Sequence, residues 1–286
     1  MPLTVPGPLV DTDWLARHLG DPDLRVADAS YMLPVWDRDA RREYSAAHIP
    51  GAIFYDIDAV ARDDTPLPHM LPSPERAAEA IGAMGIGDGH AVVAYDSFGL
   101  FSAARLWWTL RWLGHDNVAV LDGGLKAWRA ADQPLERGRI DLPPAVLTPR
   151  PRPALYRTLE AVQAELAGGA SVLVDARDAA RFRGEVADFR PGVRSGHVPG
   201  ARNLGFGTLL DPDTGKLLPA DRIAARFREA GIDPSGKATA MCGSGVTACI
   251  LALAAARLGH DGMAVYDGSW TEWGGRQDLP LASGDG

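Results

Sequence analysis

The chain has 286 residues, 46% of them apolar and 23% charged, with a formal net charge of −8. This is the composition of a soluble globular protein with length enough for two cores, and its acidity argues against nucleic acid or an anionic membrane as partner. The two cysteines, Cys242 and Cys249, make neither a disulfide framework nor a zinc-ligand spacing, and there is no run of ~18 apolar residues and no basic segment leading into an apolar one at the N-terminus, so a reducing cytoplasm is the expected compartment.

In the first half an apolar run ends at Asp28, and a His-x-Pro-Gly turn follows at His48-Ile49-Pro50-Gly51. Ser73-Pro74-Glu75 announces a helix, with serine as N-cap and proline in the first turn. The run Ala91–Tyr95 reads as a buried strand, and Ser102–Leu113 as the helix after it. Its Trp107, Trp108 and Trp112 lie at helical spacing and are expected in the core. Leu113-Gly114-His115, Val120-Leu121-Asp122-Gly123-Gly124 and Trp128 complete the half.

The second half repeats the series. Asp175 ends Val172-Leu173-Val174, and then come His197-Val198-Pro199-Gly200, Leu258-Gly259-His260, Val265-Tyr266-Asp267-Gly268 and Trp273. The interval from His115 to Trp128 equals that from His260 to Trp273, which identifies a duplication. Prolines at 143, 144, 149, 151 and 153 mark an extended linker between the copies. The expected division is 1–140, a linker over 141–155, and 156–286. Short apolar runs alternating with helical patterns predict an α/β fold, each domain a mostly parallel sheet flanked by helices.

The stretch with chemistry is Met241-Cys242-Gly243-Ser244-Gly245-Val246-Thr247-Ala248, between the strand-like run Ala238–Met241 and the helical pattern Cys249–Leu258. Glycines at 243 and 245 let backbone N–H groups turn inward, and the positive end of the following helix adds to them. Such a ring favours a thiolate over a thiol. It also lies where a parallel sheet collects ligands, beyond the carboxyl end of a strand. At the equivalent point of the first half, Ala94-Tyr95-Asp96 puts Asp96 where Cys242 stands, in a loop one residue longer. That half therefore reads as a scaffold without the nucleophile, and Cys249, inside the apolar helix, as core.

Cys-Gly-Ser-Gly-Val-Thr-Ala resembles the active-site loop of the rhodanese superfamily, and within it the 3-mercaptopyruvate sulfurtransferases; vertebrate thiosulfate sulfurtransferases carry basic residues where this chain has Gly243 and Ser244. The resemblance implies two tandem rhodanese domains with the active site facing the cleft between them. It also implies a Cys242 persulfide that takes sulfur from 3-mercaptopyruvate, or alternatively thiosulfate, and passes it to cyanide, a thiol or a thioredoxin-like protein, with no cofactor or metal and as a monomer. Gly243, Gly245, Val246 and Thr247 are the expected cradle around the substrate. Arg181-Phe182-Arg183-Gly184 resembles a family motif in which the second arginine contacts substrate, so Arg183 is the first candidate for the donor carboxylate and Arg190 the second; an arginine fork matches two carboxylate oxygens. Pro68-His69-Met70-Leu71-Pro72 is similar to a cleft-lining segment of the same enzymes. For His48 two roles stay open: a turn residue, as its twin His197 implies, or a group that orients Ser244 with the help of Asp37 or Asp39.

Two other classes fit less well. A cysteine phosphatase needs an arginine at the sixth position after the cysteine, which here is Ala248, and a non-catalytic binding module of this type usually loses the cysteine or the loop, both intact here.

Overall fold

The computed structural model describes residues 2–169 and 171–285. Valine- and alanine-rich runs without apolar–polar alternation bury both faces, which suits parallel strands covered by helices on either side. Five strands form the first sheet: β1 (Leu9–Val10), β2 (Leu24–Asp28), β3 (Ile53–Phe54), β4 (Ala91–Tyr95) and β5 (Val118–Leu121), of which the central β4 and its neighbour β5 are such runs. The order is β1-β5-β4-β2-β3 and every pairing is parallel. The second sheet consists of β6 (Tyr156–Arg157), β7 (Val172–Asp175), β8 (Arg202–Asn203), β9 (Ala238–Met241) and β10 (Ala264–Tyr266), in the order β6-β10-β9-β7-β8, again all parallel. The two orders are the same order written twice, as the repeated motifs require.

The registers fix where the chemistry can lie. Asp28 pairs with Tyr95 and Asp175 with Met241, so each aspartate ends its strand beside the strand that leads to Asp96 or Cys242. Packed against these sheets are helix Ala103–Trp112, in which every residue is buried, and helix Ala248–Arg257, buried through Ala255. Trp107, Trp108 and Trp112 are core residues.

The chain divides into two compact units. The first runs to Arg62 and takes in Leu71–Arg152 and Asp211–Leu217; the second contains Asp63–Met70, Pro153–Leu210 and the chain from Leu218 onward. The proline-rich stretch belongs to the first unit because its backbone pairs there: Ala145 N–H donates to the Gly82 carbonyl, Asp88 N–H to that of Val146, and Arg150 and Arg152 N–H to those of Leu113 and Trp112. The short segment Asp211–Leu217, from the second half of the sequence, forms a turn closed on the Asp211 carboxylate. Leu217 N–H donates to Asp122, and Gly215 passes so close to Gly99 that a Cβ on Gly99 would lie 3.0 Å from the Gly215 Cα. Only glycines allow this approach. No helix among the described residues is long and apolar enough to cross a membrane.

Candidate active site

Residues 242–247 link β9 to helix Ala248–Arg257, and Cys242 through Val246 are buried, Cys242 at 2% exposure and Ser244 at 5%. Gly245 has φ of 73°, the left-handed turn that glycine takes without cost, while Gly243 has no such angle. The loop is anchored by residues that follow β10. Cys242 and Gly245 both donate their backbone N–H to Ser269 Oγ at 3.1 Å, and that hydroxyl donates to the Tyr266 carbonyl at 2.7 Å. Trp270 N–H donates to the Cys242 carbonyl, and the N–H and hydroxyl of Thr271 both donate to the Gly243 carbonyl.

Among the described residues no acceptor takes the N–H groups of Gly243, Ser244, Val246, Thr247 or Ala248. Their fate is explained by the equivalent loop of the first unit. There the Asp96 Oδ2 accepts from Phe101, Ser102 and Ala103 N–H at 2.7, 2.8 and 2.9 Å, and Oδ1 accepts from Phe98 N–H at 3.0 Å. Counting back from the helix start, those three donors correspond to Val246, Thr247 and Ala248. One copy of the loop therefore wraps a carboxylate of its own; the other leaves the same donors for an anion at the cysteine.

Ser269 was not singled out in the sequence, although a signal was there. Its position in the repeat is that of Gly124, and the backbones agree, with φ of 52° and 51°. A Cβ on Gly124 would meet the Asp96 carbonyl at 2.3 Å, so the first copy has room only for glycine, whereas the second carries a buried serine whose hydroxyl braces the loop. A non-glycine residue in that region is strained, and such strain clusters at functional sites.

The arginine expectations divide. Arg183 forms a two-pronged pair with the exposed Glu185, at 2.7 and 2.9 Å, with Asp285 at 3.9 Å; its described partners lie outside the loop. Arg190 reaches the loop. Its Nη2 donates to Ser244 Oγ at 3.4 Å, and a Cβ on Gly243 would lie 3.1 Å from its Nη1. The guanidinium also stacks on Phe189, 4.3 Å from the ring centre. Asp188, with its side chain 2% exposed, accepts from Arg190 backbone N–H, from Arg190 Nη1 and from Arg181 Nη2. Burial alone would raise the Asp188 carboxyl, but the Arg190 N–H and the Arg181 guanidinium outweigh it and hold the group below the ordinary carboxylate range.

His48 and His197 have matching environments. Each ring is fully buried and donates Nδ1–H to a carbonyl, that of Tyr44 or Phe182, while stacking on the same residue's ring. Each backbone makes an isolated antiparallel bridge, to Glu136 or Ala282. These contacts are those of turn clasps, with the Glu136 carboxylate 4.0 Å from His48 Nε2; within the second unit Ser244 Oγ accepts from Arg190, and in the first Asp39 caps helix Ala40–Ala46. His69 is buried in the segment grouped with the second unit, with φ of 63°. Cys249 is core, its thiol donating to the Gly245 carbonyl. No group of three potential metal-ligating side chains gathers among the described residues.

The family model described as Rhodanese-like domain matches residues 11–131 and again 158–276. The chain is 41% identical to the 3-mercaptopyruvate sulfurtransferase of Escherichia coli K12 over 274 residues, covering 95% of this chain and 96% of that one. It is 40% identical to the mitochondrial thiosulfate/3-mercaptopyruvate sulfurtransferase 1 of Arabidopsis thaliana over 297 residues, 96% of this chain and 78% of the relative. Among solved structures, the E. coli 3-mercaptopyruvate sulfotransferase SseA superposes with a TM-score of 0.84 at 38% identity, over 92% of this chain and 99% of that one.

Proposed function

The chain belongs to the rhodanese family and is a sulfurtransferase, and on that premise we propose that it moves the sulfur of 3-mercaptopyruvate to a thiol or cyanide through a persulfide on Cys242. The observation that carries this reading is the set of N–H groups at Val246, Thr247 and Ala248, whose counterparts hold the Asp96 carboxylate in the other copy of the loop. Donors that accommodate a carboxylate suit a thiolate and the negative charge of a persulfide equally.

In the first half-reaction the Cys242 thiolate attacks the sulfur of the donor. A new S–S bond forms, the carbon–sulfur bond breaks, and its electron pair leaves with the three-carbon fragment, which takes up a proton to become pyruvate. In the second, an acceptor thiolate or cyanide attacks the outer sulfur, and the electron pair of the S–S bond returns to Cys242. Splitting one transfer into two displacements is the advantage of a covalent intermediate. Arg190, fixed beside Gly243 and Ser244, takes the donor carboxylate, the role the sequence offered first to Arg183; Ser244 Oγ hydrogen-bonds the donor carbonyl. The first domain supplies no nucleophile because Asp96 occupies its cradle. Two free cysteines suit a reducing compartment such as the cytoplasm.

Thiosulfate is the second reading, and Arg190 is the observation in its favour, since a guanidinium against the loop gives departing sulfite a fixed cation. Measuring kcat/KM for both donors on the pure enzyme tests the assignment. A higher value for mercaptopyruvate is expected, and a higher value for thiosulfate would reverse it.

A further inference from the structure

Arg190 sits on an irregular stretch, residues 184–190, that follows the left-handed turn at Gly184. A long side chain on such a stretch samples many rotamers unless something fixes it, and each freedom lost on binding weakens the donor complex. Two contacts restrain this one. Phe189 lies under the guanidinium, and Asp188 holds both ends of the residue, its Oδ1 accepting from the Arg190 backbone N–H at 3.0 Å and from Nη1 at 3.4 Å. The other oxygen of Asp188 accepts from Arg181 Nη2 at 2.6 Å, so one buried carboxylate ties two arginines together.

An ionised acid this near the cation that receives an anion opposes binding through its charge. Its presence is productive only if the placement it gives exceeds that repulsion. From this geometry we infer that Asp188 is a positioning residue for sulfur-donor binding: it aims Arg190 at Gly243 and Ser244 without touching the substrate. The inference rests on the reading of Arg190 as the carboxylate site, and it makes Asp188 a determinant of affinity for anionic donors.

The two effects of Asp188 have opposite signs, so one variant separates them. In Asp188→Asn the repulsion is gone; if charge were all that mattered, KM for mercaptopyruvate would fall. Loss of placement predicts instead that KM rises by about tenfold while kcat stays within about twofold. In an Arg190→Ala background the same change has nothing left to position, so the double variant should match Arg190→Ala alone. An unchanged or lowered KM in Asp188→Asn, with a raised KM in Arg190→Ala, overturns the positioning role and leaves the carboxylate site standing. An unchanged KM in Arg190→Ala overturns the carboxylate site and the inference with it. If Asp188→Asn does not fold, Asp188→Glu retains the charge but displaces it by a methylene, and there too KM must rise for the inference to hold.

Discussion

Asp96 and Cys242 occupy equivalent points in two copies of one loop, and the N–H groups that Asp96 takes for its own carboxylate are, at Cys242, without an acceptor among the described residues. The duplication thus contains its own control. In one copy the anion is built in, as the Asp96 carboxylate; in the other, on the chemistry proposed above, the thiolate or persulfide of Cys242 supplies it.

It follows that Asp96 stabilises its domain. Asp96→Ala removes the acceptor of four N–H donors, those of Ser102 and Ala103 buried and those of Phe98 and Phe101 half-buried, and should lower stability by roughly 3 kcal/mol in urea unfolding. Activity per folded molecule should persist, because Asp96 is not the nucleophile. A variant as stable as the wild type would mean that the carboxylate does not hold the loop.

The aspartates that end β2 and β7 differ in their partners, and this has a pH signature. Asp175 is paired with the buried Arg177, whereas Asp28 accepts from Ser30 and Tyr95 and has Asp96 nearby. Burial is the largest influence on Asp28 and pushes its carboxyl up from 3.8 to about 6, against the hydrogen bonds, which lower it. Its folded pKa is therefore above the unfolded one. The protonated form is favoured by folding, that contribution is complete below the unfolded pKa, and it is lost as pH rises towards about 6. Above that, the ionised Asp28 is a constant cost. Asp28→Asn should match the wild type near the acid end and gain on it between about pH 4 and pH 6, by up to roughly 3 kcal/mol. Melting curves of both proteins across this range check the sign; a constant difference between them contradicts it.

Donor choice should respond to charge on the loop. Gly243 has no left-handed backbone, so the obstacle to a side chain there is the Arg190 guanidinium, 3.1 Å from where a Cβ would stand, rather than the backbone angles. Gly243→Arg with Ser244→Lys adds cations suited to a departing sulfite and should move the kcat/KM ratio towards thiosulfate by at least about tenfold, or about 1.4 kcal/mol. An unmoved ratio in a variant that melts normally would show that loop charge does not set the preference.

Local patterns in the sequence carried the fold. Buried strands such as Ala91–Tyr95 and Ala238–Met241 are short apolar runs bounded by polar residues, and the repeated motifs fixed one sheet order for both halves. Cys242 was legible for the same reason, since its glycines and the helix after it are sequence neighbours. That Arg190 lies against Gly243 and Ser244 is not legible in the sequence, because a guanidinium's destination depends on the course of an irregular stretch, which no periodicity encodes. Ser269 was missed because its contact with Cys242 spans 27 residues, although the change from Gly124 in the other copy marks it. The grouping of Asp211–Leu217 with the first unit was hidden for a related reason: it turns on the close approach of Gly215 and Gly99, residues far apart in sequence.

In the proposed cycle, sulfur rests covalently on Cys242 between donor and acceptor. Incubating the enzyme with mercaptopyruvate and no acceptor, then mapping its peptides by mass spectrometry without reductant, measures this directly. A gain of about 32 Da, one sulfur atom, is expected on the peptide containing Cys242 and is expected to be absent from Cys242→Ser, which should also be inactive. Sulfur found on Cys249 instead, or full turnover by Cys242→Ser, would contradict it.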